Sequence, residues 1–149
     1  RRVLFRSASV VTLQAGTPVA ITQATNFNAF AGFGVQRPNL VGDPRLPSSE
    51  QGAARWFNTE AFAVAPQFTL GSASRNPVRG PSYRSVDLSL TRRVATGRRA
   101  ALELRAEVFN VLNTANLGPP ASIVGAPDFG SITTALDPRV AQLAAKLLW

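Results

Sequence analysis

Two neighbouring stretches of the chain alternate between apolar and polar residues. Within residues 86–94 the even positions Val86, Leu88 and Leu90 are apolar, and the odd positions from Asp87 to Arg93 are polar. Residues 101–112 repeat this order, with Asn110 as the polar exception on the apolar face. Because successive side chains of a strand point to opposite faces, each stretch predicts a strand with one apolar and one polar face.

Two further strands are predicted nearer the ends of the chain. Residues 9–22 have the pattern of a strand interrupted near Gly16 and Pro18. Pro18 cannot donate a hydrogen bond to a ladder, so it indicates an edge or a bulge. Residues 141–149 are apolar at the odd positions and end in Trp149. A helix over residues 140–148 is the alternative, but the final aromatic residue and the upstream strands favour a strand.

The turn between the two central strands can be predicted from parity. Ala95-Thr96-Gly97 suits a three-residue hairpin loop with Gly97 in the left-handed conformation beside a bulge. Both apolar rows occupy even positions, so they meet only across a loop with an odd number of residues. A three-residue loop pairs Leu90 with Leu102, Leu88 with Leu104, Val86 with Ala106, Asp87 with Arg105, and Arg93 with Arg99.

The segment between about residues 23 and 81 has no sustained period. Pro, Gly, Asn, Asp and Ser interrupt it throughout, and a short helical turn is predicted at Ser48 or Ser49. An unstructured connection of this length is abnormal in a compact soluble domain. It suits an outer-membrane β-barrel, whose connections are short on the periplasmic side and long outside. No stretch of 18 apolar residues exists that would predict a transmembrane helix.

The predicted fold is therefore all-β, a curved antiparallel sheet of four main strands that forms the C-terminal strands of a transmembrane β-barrel with long extracellular loops. A periplasmic turn at residues 95–97 makes the last strand run inward and places Trp149 at the periplasmic interface, where aromatic girdles lie. The residues predicted to face lipid are Val86, Leu88, Leu90, Leu102, Leu104, Ala106, Val108, Leu143 and Leu147. Those predicted to face the lumen are Asp87, Glu103, Arg105, Glu107 and Lys146.

Seven runs of residues occur in an order and spacing that are fairly specific together, although no single run is diagnostic. They are RPNLVGDP (37–44), RWFNTEAF (55–62), RGP (79–81), VDLSL (86–90), RAEVFNVLN (105–113), DFGSIT (128–133) and DPR (137–139). These runs closely resemble the C-terminal barrel region of Oar-like TonB-dependent receptors. The resemblance covers essentially all of residues 8–149.

The resemblance implies an outer-membrane transporter whose barrel has about 22 strands and a plugged lumen, the last four strands being in this chain. It implies that the plug domain, the segment that contacts TonB and a carboxypeptidase-regulatory-like domain lie upstream. The C-terminal residues Leu143, Ala145, Leu147 and Trp149 resemble the signal read by the barrel-assembly machinery, with Trp149 where that family usually has Phe. The implied partners are outer-membrane lipid, that machinery, the TonB complex through upstream segments, and an unknown solute.

Composition narrows the possible chemistry. The 149 residues include no His and no Cys, which excludes a thiolate nucleophile, an imidazole base and a zinc finger. The carboxylates Glu103 and Glu107 flank Arg105 on one predicted strand face, which does not favour acid–base catalysis. We therefore expect no enzymatic activity, no catalytic residues, no metal and no cofactor.

The formal charge of +8 suggests a different function, a soluble basic β-sheet module that binds nucleic acid or a protein partner. The arginines are scattered along the chain and alternate with acids on the predicted strands, so we expect no nucleic acid among the partners. A soluble sheet would cover the apolar face of Leu88, Leu90, Leu102 and Leu104 with a second layer. A barrel wall would leave that face bare toward lipid.

Residues 1–7 are considered separately from the barrel fragment at residues 8–149. The run Arg-Val-Leu-Phe-Arg-Ser resembles the translation of a common sequencing adapter, so we expect residues 1–7 to be a scar and not native sequence. The alternative is the end of a genuine strand. If the scar is discounted, the net charge falls from +8 to +5, because three of the 16 basic residues leave the count.

Three aromatic residues of the long connection, Trp56, Phe57 and Phe62, are candidates for contact with a substrate. The alternative is that they pack the long loop onto itself, as the side chains of compact loops commonly do. The charged residues predicted to face the lumen have a similar alternative, because they could line a solute path or pair with each other across the strands.

Overall fold

The computed structural model describes residues 4–32, 34–97 and 100–149. The strands in those ranges are β1 (Leu4–Gln14), β2 (Pro18–Val19), β3 (Thr22–Gln23), β4 (Asn39–Leu40), β5 (Phe62–Ala63), β6 (Val78–Arg79), β7 (Tyr83–Ala95), β8 (Ala101–Phe109), β9 (Ile123–Val124) and β10 (Val140–Leu148). Two 3₁₀ helices cover Ala29–Ala31 and Thr59–Ala61. Within the described ranges, no helix has the length and apolar character needed to cross a membrane.

The four long strands form one antiparallel sheet in the order β1-β7-β8-β10. This confirms the predicted all-β fold with four main strands, and the C-terminal residues form a strand, not a helix. Residues 4–7 belong to β1 and pair with residues 90–93 of β7. Whether those first residues are native stays a prediction.

The N-terminal strand ends at Gln14, which confirms the predicted interruption near Gly16, but the chain does not return to the same sheet before residue 22 as predicted. Gly16 lies against the backbone of Gly80, so closely that a Cβ atom on Gly16 would come within 1.8 Å of the Gly80 carbonyl oxygen. The chain therefore leaves the sheet here and forms the two-residue strand β2, which pairs with β6. Pro18 lies opposite Arg79 in this two-stranded sheet, an edge position that Pro tolerates.

The turn between β7 and β8 has an odd number of residues, as parity requires, but five and not the predicted three. Ala95 lies opposite Ala101, and the backbone N–H groups of Thr96 and Gly97 donate to the Ala100 carbonyl at 3.0 and 3.2 Å. Gly97 does not adopt the left-handed conformation predicted for it. Arg99, the predicted partner of Arg93, lies outside the described residues.

The observed register avoids one pair of like charges. The predicted turn would have set two arginines opposite each other, whereas the observed turn sets Arg93 opposite Glu103. Lys146 of β10 lies on the other side of Glu103. The predicted pair of Asp87 with Arg105 is also wrong, because Thr91 is the partner of Arg105. Each partner is displaced by four positions, an even number, so the side chains paired between β7 and β8 keep their predicted faces.

The chain divides into two compact units. The sheet unit contains residues 4–14, Tyr83–Asn116 and Leu136–Trp149, and so includes all four long strands. The loop unit contains Ala15–Ser82 and Leu117–Ala135.

The loop unit has a core of its own, so the prediction of a structureless long connection is wrong. Every buried hydrophobic residue of the described chain lies in this unit: Val19, Ile21, Phe57, Ala61, Phe62, Ala65, Ala73, Val78, Val124 and Ile132. Short strand pairs, β2 with β6, β3 with β9 and β4 with β5, tie its segments together. Near Ser48 the chain forms only a turn, closed by the Glu50 N–H and the Pro47 carbonyl at 2.9 Å.

Candidate membrane interface

The sheet unit brings the residues predicted to face lipid onto one face. Directly opposed residues of neighbouring strands share a face, and the observed pairs are Leu88 with Val108, Leu90 with Ala106, Ala106 with Leu143, Leu104 with Ala145, and Leu102 with Leu147. Val86 belongs to the same even-numbered row of β7. This apolar face is the first candidate functional surface.

The apolar face is exposed. Leu88 and Leu90 are each 46% exposed, and Leu143 is 87% exposed. Within the described residues no second layer of structure covers them. Trp149 follows the end of β10, continues its odd-numbered row and is 93% exposed. An apolar sheet face without a covering layer is unfavourable in water and suits a hydrocarbon environment.

The opposite face carries the residues predicted to face the lumen, Asp87, Glu103, Arg105, Glu107 and Lys146. A guanidinium nitrogen of Arg105 lies 3.7 Å from one carboxylate oxygen of Glu107, and the other oxygen of Glu107 accepts a hydrogen bond from the Gln142 amide. Glu103 lies between Arg93 and Lys146. Acids and bases thus alternate on this polar face and do not form the single-signed patch that nucleic-acid binding requires.

A comparison with known protein families distinguishes the two alternatives, a soluble sheet and a sheet that forms part of a membrane barrel. A family model described as an outer membrane beta barrel domain matches residues 5–142, more than half of the chain. The chain belongs to this family. The protein is therefore an outer-membrane protein, and its all-β antiparallel sheet is part of a β-barrel. Neither the curated proteins nor the solved structures include a match to it.

At one end of the barrel sheet a polar network joins the start of β7 to the end of β8. Asn110 does not lie on the apolar face as predicted, but adopts a φ of +50° and ends β8. Its side-chain amide accepts from the Thr114 N–H and donates to the Thr114 carbonyl, both at 3.0 Å. Its own N–H donates to the Asp87 carboxylate at 2.9 Å, and the Ser85 hydroxyl donates to the same oxygen at 2.8 Å.

Asn116 and Asn113 extend this network, and neither was singled out from the sequence. The Asn116 side chain accepts from the Arg84 N–H and donates to the Arg84 carbonyl, both at 2.9 Å. One side chain thus satisfies the backbone of β7 as a neighbouring strand would. Asn113, at φ +51°, accepts from the Arg139 N–H at 3.1 Å, just before β10 begins. The sequence did contain a signal for this network. Asn110, Asn113 and Asn116 follow β8 at intervals of three residues, and Asn tolerates left-handed conformations and caps turns.

The aromatic candidates for substrate contact lie in or against the core of the loop unit. Phe57 is fully buried and packs edge-to-face on Phe62 and Phe129, with ring centres 5.8 and 5.3 Å apart. Phe62 is 7% exposed. Trp56 is half-buried against the same core, and its indole N–H donates to the Arg79 carbonyl at 2.8 Å. Contact of a substrate with Phe57 would require this core to open.

Four of the seven runs that carry the family resemblance lie in the loop unit and hold it together. The Arg37 guanidinium donates to the Ala73 carbonyl at 2.9 Å, which joins two segments far apart in the chain. The Trp56 N–H donates to the carbonyl of Gly130 at 2.8 Å. Gly130 has a φ of +85°, and a Cβ atom there would lie 2.4 Å from the Thr59 methyl group. In this barrel protein these runs stabilise the fold of the loop unit.

Proposed function

We propose that this chain forms part of the wall and the outer loops of an Oar-like TonB-dependent receptor, which takes part in active transport of a solute across the outer membrane. One observation carries the proposal. A five-residue turn joins β7 to β8, whereas residues 15–82 join β1 to β7 and residues 110–139 join β8 to β10. Outer-membrane barrels have this alternation of short periplasmic turns and long extracellular loops.

In this proposal each face of the sheet has a separate role. The apolar face of Leu88, Leu90 and Leu143 contacts lipid, and the polar face of Glu103 and Arg105 borders the lumen. The barrel-assembly machinery reads the C-terminal strand with Trp149, and the TonB complex acts through segments outside this chain. The protein carries out transport and no covalent chemistry. The seven runs that resemble Oar-like receptors support this finer proposal.

Cysteine labelling tests the roles of the two faces. The chain has no Cys, so Leu90→Cys and Ser89→Cys each give one labelling site, on adjacent residues of β7 that point to opposite faces. Each variant is labelled with a fluorescent probe and reconstituted into phosphatidylcholine vesicles. We expect a quencher dissolved in the lipid to act on the probe at residue 90, and aqueous iodide to act on the probe at residue 89.

Equal quenching of the two probes, or failure of the chain to enter vesicles, would contradict the membrane-wall proposal.

The TonB-dependent part of the proposal has a separate test in the DNA that precedes the coding region of this chain. We expect it to encode a plug domain and a segment that contacts TonB. An upstream region that completes a barrel without a plug would overturn the receptor proposal and leave the membrane wall in place.

A further inference from the structure

The apolar face of the sheet carries a charged residue, Arg92, between apolar neighbours. Its cross-strand partners are Phe5 on β1 and Leu104 on β8, and the next residues of its own row are Leu90 and Val94. The guanidinium carbon lies 5.0 Å from the centre of the Phe5 ring, a cation–π contact. In the described part of the chain the one ion pair joins Arg105 to Glu107, so no carboxylate there neutralises Arg92.

The position of Arg92 along β7 indicates its depth in the membrane, if the apolar face contacts lipid as proposed above. Arginine stays charged in proteins, and on the lipid face it is strongly unfavourable at the midplane but nearly neutral at an interface. Arg84 lies eight residues earlier on the same face, about 27 Å along a strand. With a tilt of about 40° this is roughly 20 Å along the membrane normal, close to the height of the apolar band. The two arginines therefore lie near the two interfaces, with Arg92 on the periplasmic side.

Beside Arg92 the apolar face contains a groove of about 430 Å³, a volume within the range of small-molecule sites. Leu90, Leu104, Ala106, Leu143 and Phe5 line it, together with Arg92 and Arg105. Arg105 belongs to the polar face and pairs with Glu107, so Arg92 is the cation of the apolar face. An apolar channel with that cation at its side is complementary to an acyl chain that ends in a phosphate. Arginine suits that phosphate because its planar fork can donate two parallel hydrogen bonds.

We propose that Arg92 and this groove bind an anionic glycerophospholipid, with the phosphate on the guanidinium and an acyl chain along Leu104 and Leu143. The proposal rests on the proposed lipid contact of this face. It does not depend on the first seven residues being native, because Arg92 and all lining residues except Phe5 lie outside them. The charge of Arg92 then has a partner that the membrane supplies.

Lipid binding by the full chain tests this proposal. The chain is purified in dodecyl maltoside, an uncharged detergent, and binding of phosphatidylglycerol is measured by native mass spectrometry. Diacylglycerol supplies the acyl chains without phosphate, and inorganic phosphate supplies the anion without chains. We expect phosphatidylglycerol to bind at least tenfold more tightly than diacylglycerol, as expected for hydrogen bonds to a charged group, and millimolar inorganic phosphate not to displace it.

Variants locate the binding site. We expect Arg92→Gln to weaken phosphatidylglycerol binding about tenfold, and Arg92→Lys, which keeps the charge but loses the fork, to have an intermediate effect. Arg45→Gln is the matched control, since it removes the same charge from an exposed position of the loop unit. Equal affinities of the Arg92→Gln and Arg45→Gln variants, or displacement by inorganic phosphate, would overturn the lipid site. The labelled residue-90 probe keeps the two proposals separate, because its quenching by lipid reports membrane contact whether or not Arg92 binds phosphate.

Discussion

The two units of this chain use apolar residues in opposite ways. The loop unit contains every buried hydrophobic residue of the described chain, with Phe57 and Ala65 fully buried. The sheet unit instead exposes its large apolar side chains, including Leu90 and Leu143. A core that excludes water is what a water-soluble unit requires, whereas a bare apolar sheet face matches a lipid environment. The chain therefore combines one unit that buries its apolar residues away from water with another whose exposed apolar face suits lipid.

The two units also satisfy their backbones differently. The long strands of the sheet unit pair in regular ladders, whereas buried side-chain amides link the segments of the loop unit. The Gln23 amide donates to Gln36 at 3.0 Å and accepts from the Ala65 N–H at 2.9 Å. Gln36 in turn donates to the Thr69 carbonyl at 2.9 Å. Within the described residues, every buried side-chain nitrogen or oxygen has a hydrogen-bond partner, so the loop unit avoids the cost of unpaired polar groups.

The largest expected effect is loss of the loop-unit core by Phe57→Ala. Phe57 is fully buried among aromatic rings, so its truncation should lower the free energy of unfolding by about 3–5 kcal/mol. Denaturant unfolding followed by tryptophan fluorescence measures this change. The control is Leu70→Ala, at a side chain that is 61% exposed in the same unit, with an expected loss of about 0.5 kcal/mol. Equal losses would show that the loop unit does not depend on this core.

The matching test of the sheet unit introduces a charge on each face. Leu88→Arg should destabilise the chain in phospholipid vesicles by about 2–4 kcal/mol, because residue 88 lies midway between Arg84 and Arg92 and so near the midplane of the bilayer. Ser89→Arg adds the same charge on the polar face, next to Glu107 as its cross-strand partner, and should have little effect. Denaturant titration in vesicles measures both variants. A larger loss for the residue-89 variant would reverse the orientation of the sheet.

The point where the chain leaves β1 for the loop unit gives a smaller effect. Gly16→Ala places a methyl group within 1.8 Å of the Gly80 carbonyl oxygen, and the backbone shift this requires should cost about 1–3 kcal/mol. Gly52→Ala is the control, because no atom lies within 4 Å of its added methyl group. Thermal unfolding of the two variants in detergent compares them. A Gly16→Ala variant as stable as the control would mean that the two segments separate easily.

The sequence predicted the sheet unit far better than the loop unit, and the reason is physical. Period-two alternation is a local signal, and it predicted the faces of residues 86–94, 101–109 and 141–148 in β7, β8 and β10. The loop unit depends on contacts between distant segments, such as the parallel pairing of Thr22 with Ile123. No local pattern predicts such contacts, and buried Gln residues do not differ from exposed ones in a sequence.

The candidate surfaces show the same difference between what local alternation predicts and what it does not. The composition of the apolar face followed from alternation, but the register of its strands did not, because parity fixes a face and leaves the number of turn residues open. The network around Asn110 was missed because Asn110, Asn113 and Asn116 are polar and follow β8 outside its alternating pattern. The position of Arg92 within an apolar groove became visible only with the observed pairing to Phe5 and Leu104.

The smallest expected effect is also the one that tests the register of the hairpin. In the observed five-residue turn Glu103 lies opposite Arg93, whereas a three-residue turn would place it opposite Ser89. Opposite charges on directly opposed residues couple by about 0.2–1 kcal/mol, and salt screens the coupling. A double-mutant cycle with Arg93→Glu and Glu103→Arg, measured by denaturant unfolding in detergent at low and high salt, should give a coupling of that size that weakens as salt is added. A matched cycle with Ser89→Glu and Glu103→Arg should give none. Coupling in the second cycle and not in the first would contradict the five-residue turn and support a three-residue turn. That turn would set Arg93 opposite Arg99, an unfavourable pair that the observed register avoids.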